Sequence, residues 1–237
     1  MDDKRPQSEL LPALARVVRG TSILFWSLPI AMVVSIMSTL SNWTDAAWPM
    51  GMLLPPLAFS MLWIGLWLLG TFQPQERIWQ TALGRAKLLG LCILGLSPFL
   101  HWRHRVPDEY YYIDAVWLLA LAFALYLMAL NKTLARLAAM LPDETLRIES
   151  QLFSRINRML LAITSIGILV RYFLMYLLTR VDEPAELPEP LLRLLGMAIH
   201  FRPWLFLTFV LIPVSMTMSL LWKIKESILA SVFTTRE

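Results

Sequence analysis

His101 and His104 stand three residues apart, so on a helix they share one face. Asp108 and Glu109 follow closely, and imidazole with carboxylate is a ligand set that zinc and other divalent metals accept. His200 is the only other histidine and would complete such a site. Two features count against it. The spacing is loose, and Pro107 breaks a helix before the acids arrive. The histidines are therefore expected to be interfacial residues, with a metal site at His101, His104 and His200 as the rival reading. No cofactor is expected.

Arg171 is the second candidate. It sits in an otherwise apolar run, and an arginine at the centre of a bilayer costs about 2.5–3.5 kcal/mol on insertion scales. Such a residue faces a bundle interior or a polar cavity, or snorkels to the nearer surface. Asp114 is a possible partner. The pair reads first as structural, and alternatively as part of a cavity for a small solute or anion. Cys92 is a lone thiol among apolar residues, so it packs rather than reacts. Pro29, Pro55, Pro56, Pro98 and Pro213 each remove a backbone donor from an apolar segment. Ser215, Thr217 and Ser219 are placed to satisfy the groups that Pro213 frees. No glycine-rich phosphate loop, HExxH or GxSxG element occurs in the sequence.

What must position these residues is a bundle of membrane helices. Of 237 residues, 57% are apolar or aromatic and only 16% are charged, against about 25% in a soluble domain. The apolar residues come in blocks rather than stripes. Six blocks are long enough to cross a bilayer, near 21–40, 50–70, 81–101, 111–130, 159–178 and 204–222. The third is the weakest, because its purely apolar part covers only 88–100. It spans if Arg85 and Lys87 snorkel to the interface. The first block follows basic residues, but no small-x-small cleavage site succeeds it, so it reads as an uncleaved helix. The remaining segments are each shorter than the roughly 40 residues that a marginal soluble domain needs. Residues 1–237 are thus expected to form one all-α, polytopic integral membrane domain.

Lysine and arginine counts orient it. With the N-terminus inside, the inner segments hold 15 of the 21 basic residues and the outer loops 5, Arg171 being the one within a span. That bias predicts both ends on the cytoplasmic side, most simply of a bacterial inner membrane. It also keeps the third span, since losing it would swap the later loops and erase the bias. Trp43, Trp48, Trp102 and Trp204, with Tyr110, Tyr111 and Tyr112, fall at the outer interface, where such rings collect.

The inner segments share a pattern. Leu10, Leu11, Leu14, Val17 and Val18 fall on one helical face. Asp143 can cap a helix carrying Leu146, Phe153 and Ile156, and Ile224, Ile228 and Val232 repeat near the other end of the chain. These segments predict amphipathic helices lying in the inner interface. With catalytic motifs missing, the leading expectation is a non-enzymatic scaffold or accessory subunit of a membrane complex. Its partners would be bilayer lipids, a protein at the basic face or a second copy of the chain, and no nucleic acid. A transporter or channel with a polar cavity near Arg171, and a membrane enzyme with an outer-face histidine site, are the alternatives.

Overall fold

A computed structural model of the chain describes residues 7–40, 50–106, 108–141, 143–178 and 207–234. All the regular structure among them is helical. Helix α1 spans Gln7–Leu40, α2 Met50–Leu69, α3 Arg77–Leu96, α4 Phe99–Arg105, α5 Tyr110–Ala139 and α6 Glu144–Leu178. A π-helical turn, Leu207–Leu211, leads into α7, Ile212–Thr234. With α3 and α4 taken as one rod, six rods are long and apolar enough to cross a membrane. The all-α architecture of six long apolar helices agrees with the sequence reading.

The weak third span is a bent rod. Pro98 has no N–H for the carbonyl of Leu94. Ser97 supplies the donors instead, from its backbone at 3.3 Å and its hydroxyl at 2.7 Å. The helix resumes at once, with the N–H groups of His101 and Trp102 both donating to the Pro98 carbonyl. Together α3 and α4 run 29 residues, Arg77–Arg105. At helical rise that is about 43 Å, ample for a hydrocarbon core of about 30 Å.

Each rod packs on the next in sequence, and α7 closes on α1, so the six form a ring. In addition α7 touches α5. Leu24, Leu62, Leu66, Leu83, Ile93 and Leu130 are fully buried in its core. The α1–α2 crossing is a close backbone approach. A Cβ on Gly65 would lie 2.7 Å from Leu24 Cγ, and one on Gly20 would lie 3.0 Å from the Gly65 carbonyl oxygen. The tight α2–α3 connection places Gln73 at a φ of 40°, and the Trp79 indole N–H donates across it to the Phe72 carbonyl at 3.0 Å.

The amphipathic segments differ from the sequence reading. None is a separate helix among the described residues. Each continues a span, in α1, α6 and α7 respectively. Part of each apolar face turns into the protein core, where Val17, Leu146, Ile224 and Ile228 are buried, while Ile156 on α6 stays exposed. The reason is length: neighbouring rods run past the apolar stretch together, so protein covers part of the surface that lipid would otherwise meet.

Asp143 caps α6 as expected. Its Oδ1 accepts the Leu146 N–H at 3.0 Å and the Thr145 hydroxyl at 2.6 Å, and Ser227 of α7 donates to Oδ2 at 3.4 Å. The Thr145 hydroxyl, then the Leu146 N–H, hold this carboxyl below its ordinary value of 3.8. A depressed folded-state pKa gives a contribution that is complete above the ordinary value and lost as pH falls through the lowered one. Asp143→Asn keeps a capping oxygen but cannot titrate. It should therefore flatten the loss of stability below about pH 4. Thermal unfolding in mild detergent across pH checks this, and an unchanged acid limb would remove Asp143 from it.

Candidate functional site

The most organised polar site lies inside the ring. Asn131 on α5, Asn157 on α6 and Thr217 on α7 meet there, with exposures of 1%, 0% and 0%. Thr217 donates its hydroxyl hydrogen to the Pro213 carbonyl at 2.8 Å. Its oxygen can then only accept, and it takes Nδ2 of Asn131 at 2.9 Å and Nδ2 of Asn157 at 3.0 Å. Asn157 Nδ2 also reaches Asn131 Oδ1 at 3.1 Å and the Pro213 carbonyl at 3.0 Å. Asn131 Nδ2 has a second acceptor in the Leu127 carbonyl at 2.8 Å. The amide orientation follows from the network. Turning Asn157 over would press its oxygen against two other carbonyl oxygens. Asn157 Oδ1 is buried and has no donor. Ser154 extends the knot by donating to the Asn131 carbonyl at 3.2 Å.

Pro213 explains the partners on α7. It has no N–H for the Phe209 carbonyl within the π turn, so that oxygen lacks its α-helical donor. Thr164 of α6 supplies one from its hydroxyl at 2.9 Å. Of the three hydroxyls expected to serve Pro213, Thr217 alone turns inward, while Ser215 and Ser219 are exposed. No group in the knot titrates near neutral pH, so it ties three helices together and offers no acid or base.

Beside the knot, toward the loop that joins α4 to α5, is a cavity of about 260 Å³. Ala31, Phe59, Leu119, Phe123, Leu161 and Phe209 line it, and its two hydroxyls belong to Ser35 and Thr164. Both donate to backbone carbonyls, Ser35 to Ala31 at 2.7 Å. The lining suits hydrocarbon rather than a polar solute.

The residues singled out from sequence lie elsewhere. The guanidinium of Arg171 sits over the Trp117 ring, 4.8 Å from its centroid. Asp114 lines a neighbouring cleft of about 370 Å³ with Tyr111, Trp117, Leu121 and Tyr172. His101 is 1% exposed on α4, with its ring edge-on to Trp102, while His104 is half-buried. His200 lies outside the described residues. Among the described residues, no three His, Cys, Asp or Glu side chains come together as a metal would need. Asn131 and Asn157 escaped the sequence reading.

Six apolar helices of this length, tied by buried amides, define a multi-pass transmembrane helical protein. No family model matches the chain, and neither a curated protein nor a solved structure is significantly similar to it.

Proposed function

We propose that the protein is a non-enzymatic membrane scaffold that works as a parallel pair, α6 of one copy against α6 of the other, with both chain ends on the cytoplasmic side. The supporting observation is a stripe on α6 that stays exposed among the described residues. Leu152, Ile156, Met159, Ile163, Ile166, Val170 and Phe173 recur every four then three residues, and all are between 44% and 63% exposed. Ile148 continues the stripe at 64% exposed. From Ile148 to Phe173 the stripe is about 37 Å long at helical rise, more than the roughly 30 Å that hydrocarbon can cover. Its first two residues lie beyond Arg155 and Arg158, where a lipid-facing helix would turn polar.

The alternating spacing is a heptad, the repeat that supports a left-handed pair of helices. Ile156, Ile163 and Val170 are β-branched at one of its two seam positions, as two-stranded parallel pairs prefer. Ala162 and Gly167 flank the seam and permit close approach. Cysteine cross-linking in native membranes tests the pairing, in a Cys92→Ala background. Leu152→Cys and Met159→Cys should each give a covalent dimer under mild oxidation. Leu91→Cys, equally exposed at 57% but on α3, should not. No dimer at either seam position, or equal yields at all three, would overturn the reading.

A further inference from the structure

A second surface carries its own chemistry. Two adjoining clefts, of about 270 and 230 Å³, open between α3, α5 and α6. Arg85, Lys132 and Arg136 line one, and Lys132, Arg136, Arg155 and Arg158 line the other. Lys132 and Arg136 are shared, so the two clefts form one trough with five cationic side chains and no carboxylate in its lining. Among the described residues none of the five has an ion-pair partner, whereas Lys223, also near this end of the bundle, pairs with Glu149. Concentrated like charge without counter-charge is unfavourable until an anion fills it.

The trough is built as well as charged. Arg158 donates from Nε to the Ser154 carbonyl at 3.1 Å, which fixes its guanidinium and leaves the terminal nitrogens for a ligand. Ser154 lines the trough and is itself 1% exposed, donating to Asn131 in the polar knot. The cationic wall is thus anchored to the most constrained point of the bundle. On the other side, Ile78, Thr81 and Ala82 of α3 form a wall of small and apolar groups. Four arginines and a lysine against a short wall of small and apolar groups suit tetrahedral phosphate oxygens, which guanidinium grips in bidentate fashion. Its two lobes, bridged by Lys132 and Arg136, suit two phosphates rather than one.

We infer that this trough is a binding site for a bisphosphate-bearing anion, supplied either as the head group of a dianionic phospholipid or as a soluble diphosphate. The test uses the full chain in mild detergent, with cardiolipin, phosphatidylcholine or inorganic pyrophosphate added separately and the unfolding midpoint and bound fraction followed. Cardiolipin should bind and raise the midpoint, and phosphatidylcholine should not. The variant Lys132→Gln with Arg136→Gln should weaken that binding about thirtyfold, given the size of single basic contacts at a membrane surface. Lys132→Arg should retain it, and Lys225→Ala, a cation outside the trough, should leave it within about twofold. A shift with cardiolipin alone assigns a lipid head group, and a shift with pyrophosphate as well assigns a free phosphate. Absence of a shift with both anions, or equal loss in the trough variant and Lys225→Ala, would overturn the site. Circular dichroism of each variant separates lost binding from lost folding.

Discussion

Asn157→Leu should destabilise the bundle by about 3 kcal/mol, although it keeps the same branched arrangement of side-chain heavy atoms and makes the helix more apolar. The two Nδ2 hydrogens disappear, which are shared among Asn131 Oδ1, the Pro213 carbonyl and Thr217 Oγ1. Single hydrogen bonds between membrane helices average about 0.6 kcal/mol, so the two donated hydrogens account for roughly 1 kcal/mol. The rest comes from Asn131 Oδ1, which would be buried without a donor. Asn157→Asp should be worse. A carboxylate there can only accept, and it would face acceptors at the Asn131 amide oxygen and the Pro213 carbonyl. Burying that charge unpaired costs several kcal/mol or forces its protonation. Unfolding in mixed detergent measures both. A change below about 0.5 kcal/mol for Asn157→Leu would mean that the knot does not hold the helices. Asn131→Leu combined with Asn157→Leu should cost clearly less than the two separately, because they remove one shared interaction.

Gly65→Leu should be the most damaging change at the α1–α2 crossing. The first added carbon already falls 2.7 Å from Leu24 Cγ and 3.2 Å from the Gly20 carbonyl oxygen. Leu24 is fully buried and cannot step aside. Gly65→Ala should lose about 1–3 kcal/mol as overpacking, partly offset by alanine's better helix propensity, and Gly65→Leu should exceed that range. Gly84 and Gly95 supply the internal control, since a Cβ at each would meet nothing within 4 Å. Alanine there should be neutral or stabilising by up to about 1 kcal/mol in the same unfolding assay. If Gly65→Ala behaved like Gly84→Ala, the two helices would not be in backbone contact.

These two sites show which parts of the structure could be read in the chain. The spans were legible because the transfer of apolar blocks into hydrocarbon depends on composition alone. The Asp143 cap was legible because it is local, settled within three residues, whereas the carbonyl that Pro213 frees takes its donor from Thr164 on another helix and not, as the sequence suggests, from Thr217. Asn131 and Asn157 were not. Apolar stretches end at the first polar residue, which put the fourth span's end at 130 and the fifth's start at 159. The helices themselves run on, α5 to Ala139 and α6 from Glu144, so each amide lies inside a rod just past the apolar block. One signal existed: Ser150, Ser154, Asn157, Leu161 and Ser165 share a face, and all are buried. The Gly20–Gly65 approach was hidden differently, because its two small residues sit on separate helices and leave no motif in either.

The polar knot has a history in time as well as a geometry. Asn131 and Asn157 are synthesised before Thr217 and Pro213, and α7 is the last of the six rods to emerge. Until it docks, two amides sit in or near the lipid with only each other as long-range partners, and the ring stands open between α6 and α1. Only docking of α7 closes the ring between α6 and α1. The segment made last thus carries the acceptors, the Thr217 hydroxyl and the Pro213 carbonyl, that the asparagine amides of two earlier helices need.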